Sequence, residues 1–160
     1  PEQAVAAAAE ALRACRRLRD APGERQVLRA ISGPDLVPPG AEGSDGALRA
    51  AKAALGMCLE AGCQSGQAAL LQCTGRLLLA RGKPAQALQA AEEALRLRRA
   101  AGACAGEEAA AMRLVARASL AQDQPRKALA AAEEAALLSR RADDPEGEAE
   151  ALVTAAADDP

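Results

Sequence analysis

A twelve-residue motif recurs in this chain at a fixed spacing, with eight of its positions identical. Pro84 to Leu95 reads Pro-Ala-Gln-Ala-Leu-Gln-Ala-Ala-Glu-Glu-Ala-Leu. Pro125 to Ala136 reads Pro-Arg-Lys-Ala-Leu-Ala-Ala-Ala-Glu-Glu-Ala-Ala, with Glu133 following Glu92 by 41 residues. A period of roughly 20–50 residues marks a chain built from one supersecondary unit stacked on itself. Each unit touches only its neighbours, so such a chain presents an extended surface rather than a closed pocket. The question this sequence poses is therefore which surface it offers.

The side chains available limit what the unit can be. The 160 residues include no Phe, Trp, Tyr or His, and half of them are hydrophobic. Without aromatic rings, which bury about 150–250 Å² each, Ala and Leu must fill the interior. Small side chains bury well only when backbones approach closely. Ala and Leu head the helix-propensity order, while the β-branched and aromatic residues that favour strands are scarce. The fold expected is all-α.

Punctuation places the helices. Gly66, Gly106 and Gly147 open first helices with Gln67, Glu107 or Glu148 in the opening turn, and acidic residues there suit the helix dipole. Pro84 and Pro125 open second helices, where a Pro at the first position costs no hydrogen bond. The motif extends backwards, since Ala4 and Glu10-Ala11-Leu12-Arg13 match Ala87 and Glu93-Ala94-Leu95-Arg96 two periods later. The chain thus reads as one array over 1–160. Its predicted helices are 2–19, 24–32, 46–61, 67–81, 85–100, 107–122, 126–141 and 147–157. Pro34, Pro38-Pro39-Gly40 and Gly46 predict a loop over 33–45, with Asp35-Leu36-Val37 as a second candidate contact surface. The array begins with a second helix and stops after a first helix, without an evident polar cap. That predicts either docking at the ends or a segment of a longer chain.

Several function classes are disfavoured. A net charge of −2 does not suggest nucleic acid, and no apolar run approaches the roughly 20 residues that span a bilayer. The five cysteines are irregularly spaced, and Cys58 and Cys63 lack the further ligands of a zinc site, so a reducing compartment and a soluble intracellular protein are expected. No cofactor is expected. The pairs Glu92-Glu93 and Glu133-Glu134 recur with the repeat and have no nucleophile, metal partner or histidine beside them. Glu92 and Arg96, four apart, predict a helix-stabilising ion pair worth about 0.2–0.5 kcal/mol.

Gly75, Gly82, Ala87, Ala94 and Leu95, followed by Ala116, Asp123, Ala128, Ala135 and Ala136, resemble the tetratricopeptide-repeat pattern of small residues and turn glycine. The family's aromatic places hold Leu71, Leu78 and Ala91, then Met112, Ser119 and Ala132. The spacing of 41 exceeds the family's period of about 34, as in its long-repeat relatives. The resemblance implies a right-handed superhelical α-solenoid of antiparallel helix pairs, with Gly75, Ala87, Ala94, Ala116, Ala128 and Ala135 at the helix contacts. It also implies that first helices line a concave groove. Residue by residue, that groove holds Gln72, Arg76 and Leu79, then Arg113, Arg117 and Leu120. Three guanidinium groups there suit an acidic or carboxylate-ended peptide or the surface of a large complex. The function expected is a non-catalytic protein–protein interaction scaffold, as an accessory or assembly subunit of an organellar, photosynthetic or cytoskeletal complex. The alternative is a regulatory or sensor domain of a longer signalling protein.

Overall fold

A computed structural model describes residues 2–32 and 45–156. Eight helices run in chain order: α1 (Glu2–Leu18), α2 (Ala21–Ser32), α3 (Asp45–Glu60), α4 (Gln64–Ala80), α5 (Pro84–Ala100), α6 (Ala105–Leu120), α7 (Pro125–Arg141) and α8 (Pro145–Ala156). No strand occurs among the described residues. The loop expected over 33–45, with Asp35-Leu36-Val37, lies outside them except for Asp45, which opens α3.

Helices α2, α4, α6 and α8 start two or three residues before the places the punctuation marked. Gly66 and Gly147 sit inside the first turn, where their N–H groups are the ones being capped. Cys63 Sγ accepts from Gly66 N at 3.4 Å and Asp144 Oδ1 accepts from Gly147 N at 2.9 Å. First-turn N–H groups have no intrahelical partner, so a side chain just ahead of the helix takes one of them.

The turns share one chemistry. Arg19, Gly62, Gly82, Gly102, Asp123 and Asp143 each adopt a positive φ between 54° and 67°. In each case the next residue donates back five positions, as Lys83 N does to Leu78 O at 2.9 Å and Gln124 N to Ser119 O at 3.0 Å. This six-to-one bond closes the helix and reverses the chain at once. Gly82 adopts the left-handed conformation without steric penalty, and Asp123 takes the same place in the next unit with a side chain that tolerates it.

The reversal packs each helix on its neighbour in sequence. Contacts α2–α4, α4–α6 and α6–α8 tie alternate helices together. Two hydrophobic clusters result, one across α4–α8 and one joining α1, α3 and α4. The larger is built chiefly of alanine. Ala87, Ala91 and Ala94 of α5, Ala116 and Ala118 of α6, and Ala132 and Ala135 of α7 are wholly inaccessible. Leu70 and Leu77 are the largest side chains buried that deeply among the described residues.

Three helices approach closely at Gly75. A Cβ there would lie 2.8 Å from Leu114 Cδ2 of α6 and 3.3 Å from the Ala87 carbonyl oxygen of α5. Three helices meet because this position carries no side chain. Protein interiors pack at crystal density, so added volume at such contacts forces strain. Ala94→Leu or Ala135→Leu is expected to lower unfolding free energy by about 1–3 kcal/mol in urea titrations followed by circular dichroism. An unchanged midpoint would mean that these methyl groups do not sit in helix interfaces.

Candidate functional site

Gln72 and Arg76 lie one turn apart on α4, and Arg113 and Arg117 repeat that spacing on α6. Because α6 packs directly on α4, the four side chains meet around one cavity of about 330 Å³. Ala69, Ala110 and Leu114 form part of its floor, Arg98 enters from α5, and Glu150 closes it from α8. Leu79 packs against the larger hydrophobic cluster instead. Leu120 lines a separate shallow apolar recess of about 370 Å³ with Arg117, Ala121, Val153 and Thr154. The six residues expected to form one groove are therefore divided between a polar cavity, an apolar recess and the core edge.

Sequence reasoning missed Arg98. It is 94 % buried, although it lies in the basic last turn of an Arg-rich helix. Its Nη1 is 2.9 Å from Glu107 Oε1 and donates to Ser65 Oγ at 3.3 Å, while Nη2 donates to Gln72 Oε1 at 3.5 Å. Its Nε and the Gln72 Nε2 find no partner among the described residues. A buried arginine persists only when carboxylate and hydrogen-bond acceptors offset its desolvation.

One repeat later the same pair of positions is exchanged. Gln72 becomes Arg113 and Arg98 becomes Ser139, each 41 residues on. Arg113 now reaches from the first helix to the second, donating to the buried Ser139 Oγ at 3.0 Å and to Asp144 Oδ2 at 3.4 Å. Its Nε is 3.2 Å from Glu150 Oε2, and Arg117 Nη1 is 3.4 Å from Glu150 Oε1. Gly147 leaves room for this arm, since a Cβ there would fall 2.3 Å from Arg113 Nη1. The α4–α5 and α6–α7 hairpins thus each carry one inward guanidinium between their helices, supplied by opposite partners.

This changes the electrostatics expected of the groove. Arg98, Arg113 and Arg117 are paired with Glu107, Asp144 and Glu150. No carboxylate among the described residues pairs with Arg76, which is exposed on the cavity rim and beside the Cys73 thiol. Three of the four guanidiniums around the cavity thus have carboxylate partners, and Arg76 has none among the described residues.

The glutamate pairs on the second helices face outward. Arg96 bonds Glu93, three residues back, rather than Glu92 as the i, i+4 spacing suggested. Glu92 instead reaches Lys127 on α7 at 2.6 Å, and Arg99 reaches Glu134. Bridging neighbouring units leaves no helix-local role for Glu92.

All five cysteines are free thiols. Burial, with the neighbouring Cys63 second, pushes the Cys58 thiol up to about 12, and burial also raises Cys73. No cluster of three or more His, Cys, Asp or Glu side chains capable of holding a metal occurs among the described residues. No helix among them is long and apolar enough to cross a membrane. No known family model matches this chain, and no curated protein matches it either.

Two measurements check this arrangement. Arg98→Ala strands the Gln72 amide and empties a packed site, and is expected to cost about 2–4 kcal/mol of stability. Arg117→Ala, at a half-exposed ion pair, is expected to change stability by less than about 1 kcal/mol. Equal losses in urea titrations would contradict the distinction. Thiolate is the reactive form, so a raised pKa slows alkylation. At pH 8, iodoacetamide is expected to modify exposed Cys104 first and Cys58 only after denaturant is added, as read by peptide mass spectrometry.

Proposed function

We propose that this chain is a tetratricopeptide-like solenoid acting as a non-catalytic scaffold, an accessory or assembly subunit whose partner is another protein. The observation that carries the reading is the convergence of Gln72, Arg76, Arg113 and Arg117 from successive first helices on one cavity. In stacked hairpins of this kind, one helix of each pair faces the inner surface, so side chains at a fixed helix position line up along a groove.

The ligand chemistry favoured is an extended peptide bearing carboxylates. Arg76 supplies the unpaired charge at the rim, and carboxylates on a partner compete with Glu150 for Arg117. The groove is small and lacks aromatic anchors, so affinity comes from several shallow contacts along neighbouring units rather than one deep pocket. Catalysis is not part of this reading, because the buried arginines are held by structural partners and no nucleophile with an adjacent base faces the cavity.

A binding experiment tests it. Fluorescence polarisation with acidic and charge-neutral peptides is expected to show preference for the acidic set, weakening as salt rises. Arg76→Glu is expected to reduce that affinity by about tenfold, a loss of about 1.4 kcal/mol, with helicity unchanged. Equal affinity for neutral peptides, or no effect of Arg76→Glu, would remove the groove as the partner site.

A further inference from the structure

The turn between α3 and α4 brings two thiols together. Cys58 lies in the last turn of α3, and Cys63 is the N-cap of α4. Cys63 N donates to Cys58 O at 3.0 Å, the six-to-one bond that closes α3. That bond holds the two Cα atoms within about 7 Å of each other, and disulfides bridge Cα separations of about 4.4–6.8 Å. The two residues joined in such a turn commonly bring their side chains into contact. Gly66 shows that they do so here. A Cβ on it would lie 2.7 Å from Cys58 Sγ and 3.2 Å from Cys63 Sγ. Both sulfurs therefore border the space that a single methyl group would fill. Gln67 ties the turn from the other side, donating from its N to Cys63 O at 3.0 Å and from its Nε2 to Cys58 O at 3.2 Å.

The two thiols differ in access. Cys58 is wholly inaccessible, and burial pushes its thiol up. Cys63 is only half-buried, so solvent reaches it. The repeat supplies a contrast. Cys104, 41 residues after Cys63, is the exposed N-cap of α6. The residue 41 after Cys58 is Arg99. A Cβ on Gly106, in the first turn of α6, would meet Ala142 Cβ at 3.5 Å and no sulfur. One capping cysteine has a second thiol beside it, and the other stands without one in its turn.

We infer that Cys58 and Cys63 are a redox-active pair that closes to an intrachain disulfide by reaction with a low-molecular-weight disulfide such as oxidised glutathione. The Cys63 thiolate attacks one sulfur of that disulfide, and the thiolate released takes up the proton that Cys63 gave up. Cys58 then attacks the Cys63 sulfur of the mixed disulfide, and the second thiolate leaves with the Cys58 proton. Two protein thiols are oxidised, and one small disulfide is reduced to two thiols. Cys63 reacts first because it is the sulfur a small molecule reaches. Cys58 closes the ring because it needs no access to solvent, only to its neighbour. Excess reduced glutathione drives both steps backwards, so the pair follows the thiol–disulfide balance around the protein. This holds whether or not the cavity takes an acidic partner.

The test exposes the reduced full chain to graded ratios of reduced to oxidised glutathione, quenches it in acid and maps it by non-reducing peptide mass spectrometry. Cleavage after Glu60 parts Cys58 from Cys63, and fragmentation parts Cys63 from Cys73. A Cys58–Cys63 disulfide is expected in the folded chain and is expected to be lost on adding dithiothreitol, while Cys104 carries only glutathione. Cys58→Ala is expected to leave Cys63 holding glutathione as a mixed disulfide. Cys63→Ser, which keeps a capping oxygen at that position, is expected to leave Cys58 reduced. Circular dichroism checks the helicity of both variants, and the map of the unsubstituted chain decides the question without them. A Cys58 thiol that stays reduced at ratios that oxidise Cys104 overturns the inference. So does a Cys58 disulfide to Cys73 or Cys15, or a Cys58–Cys63 disulfide that forms only in denaturant.

Discussion

Close approach between helix backbones is the constraint on which everything else here rests. Without aromatic residues, burial must come from many small contacts, each worth about 0.8 kcal/mol per methylene-sized group removed from water. Such contacts form only where axes come near enough for methyl groups to touch backbone. Gly75 shows the limit, because a single added carbon would meet both Leu114 and the Ala87 carbonyl. The alanines at 87, 94, 116, 128 and 135 are buried for the same reason. The six-to-one turns serve this constraint by reversing the chain within two to four residues, so that sequential helices are held side by side.

Close packing makes charged side chains near the interface consequential. An arginine enters where the facing position offers a hydrogen-bond acceptor. Arg98 enters opposite Gln72, and Arg113 enters opposite Ser139. The carboxylates that neutralise these arms come from the helix that follows, Glu107 in one unit and Asp144 with Glu150 in the next. The cavity mouth is consequently much less cationic than its arginine count suggests, and Arg76 carries what surplus remains.

Much of the architecture was legible in the residues, and the reasons are local. Pro84 and Pro125 mark helix starts because their fixed φ and missing N–H fit only the first turn. Gly82 marks a helix end because glycine adopts the left-handed turn without steric penalty. The glycines at 66 and 147 were less transparent, since the capping atoms belong to Cys63 and Asp144 three residues earlier. Side-chain partnership was the least legible. The spacing of Glu92 and Arg96 suggested a pair within α5, yet Glu92 bridges to Lys127 on another helix. Nothing in the spacing around Arg98 sets it apart from its neighbours Arg96 and Arg99, and only the position of α4 and α6 around it reveals a buried arm. Helix periodicity fixes which face a residue occupies, but not which neighbouring helix supplies its partner.

The most direct measurement of the packing is solvent paramagnetic relaxation of the alanine methyl groups in the labelled chain. The account expects Ala87, Ala94, Ala128 and Ala135 to be shielded from a soluble relaxation agent. Ala85 and Ala130, on the outer faces of the same two helices, are expected to relax strongly. A Leu114 δ-methyl proton is also expected to show a strong nuclear Overhauser contact to the Gly75 α-protons. Uniform relaxation of all six alanine methyls, with no Leu114–Gly75 contact, would contradict the stacked close-packed hairpins.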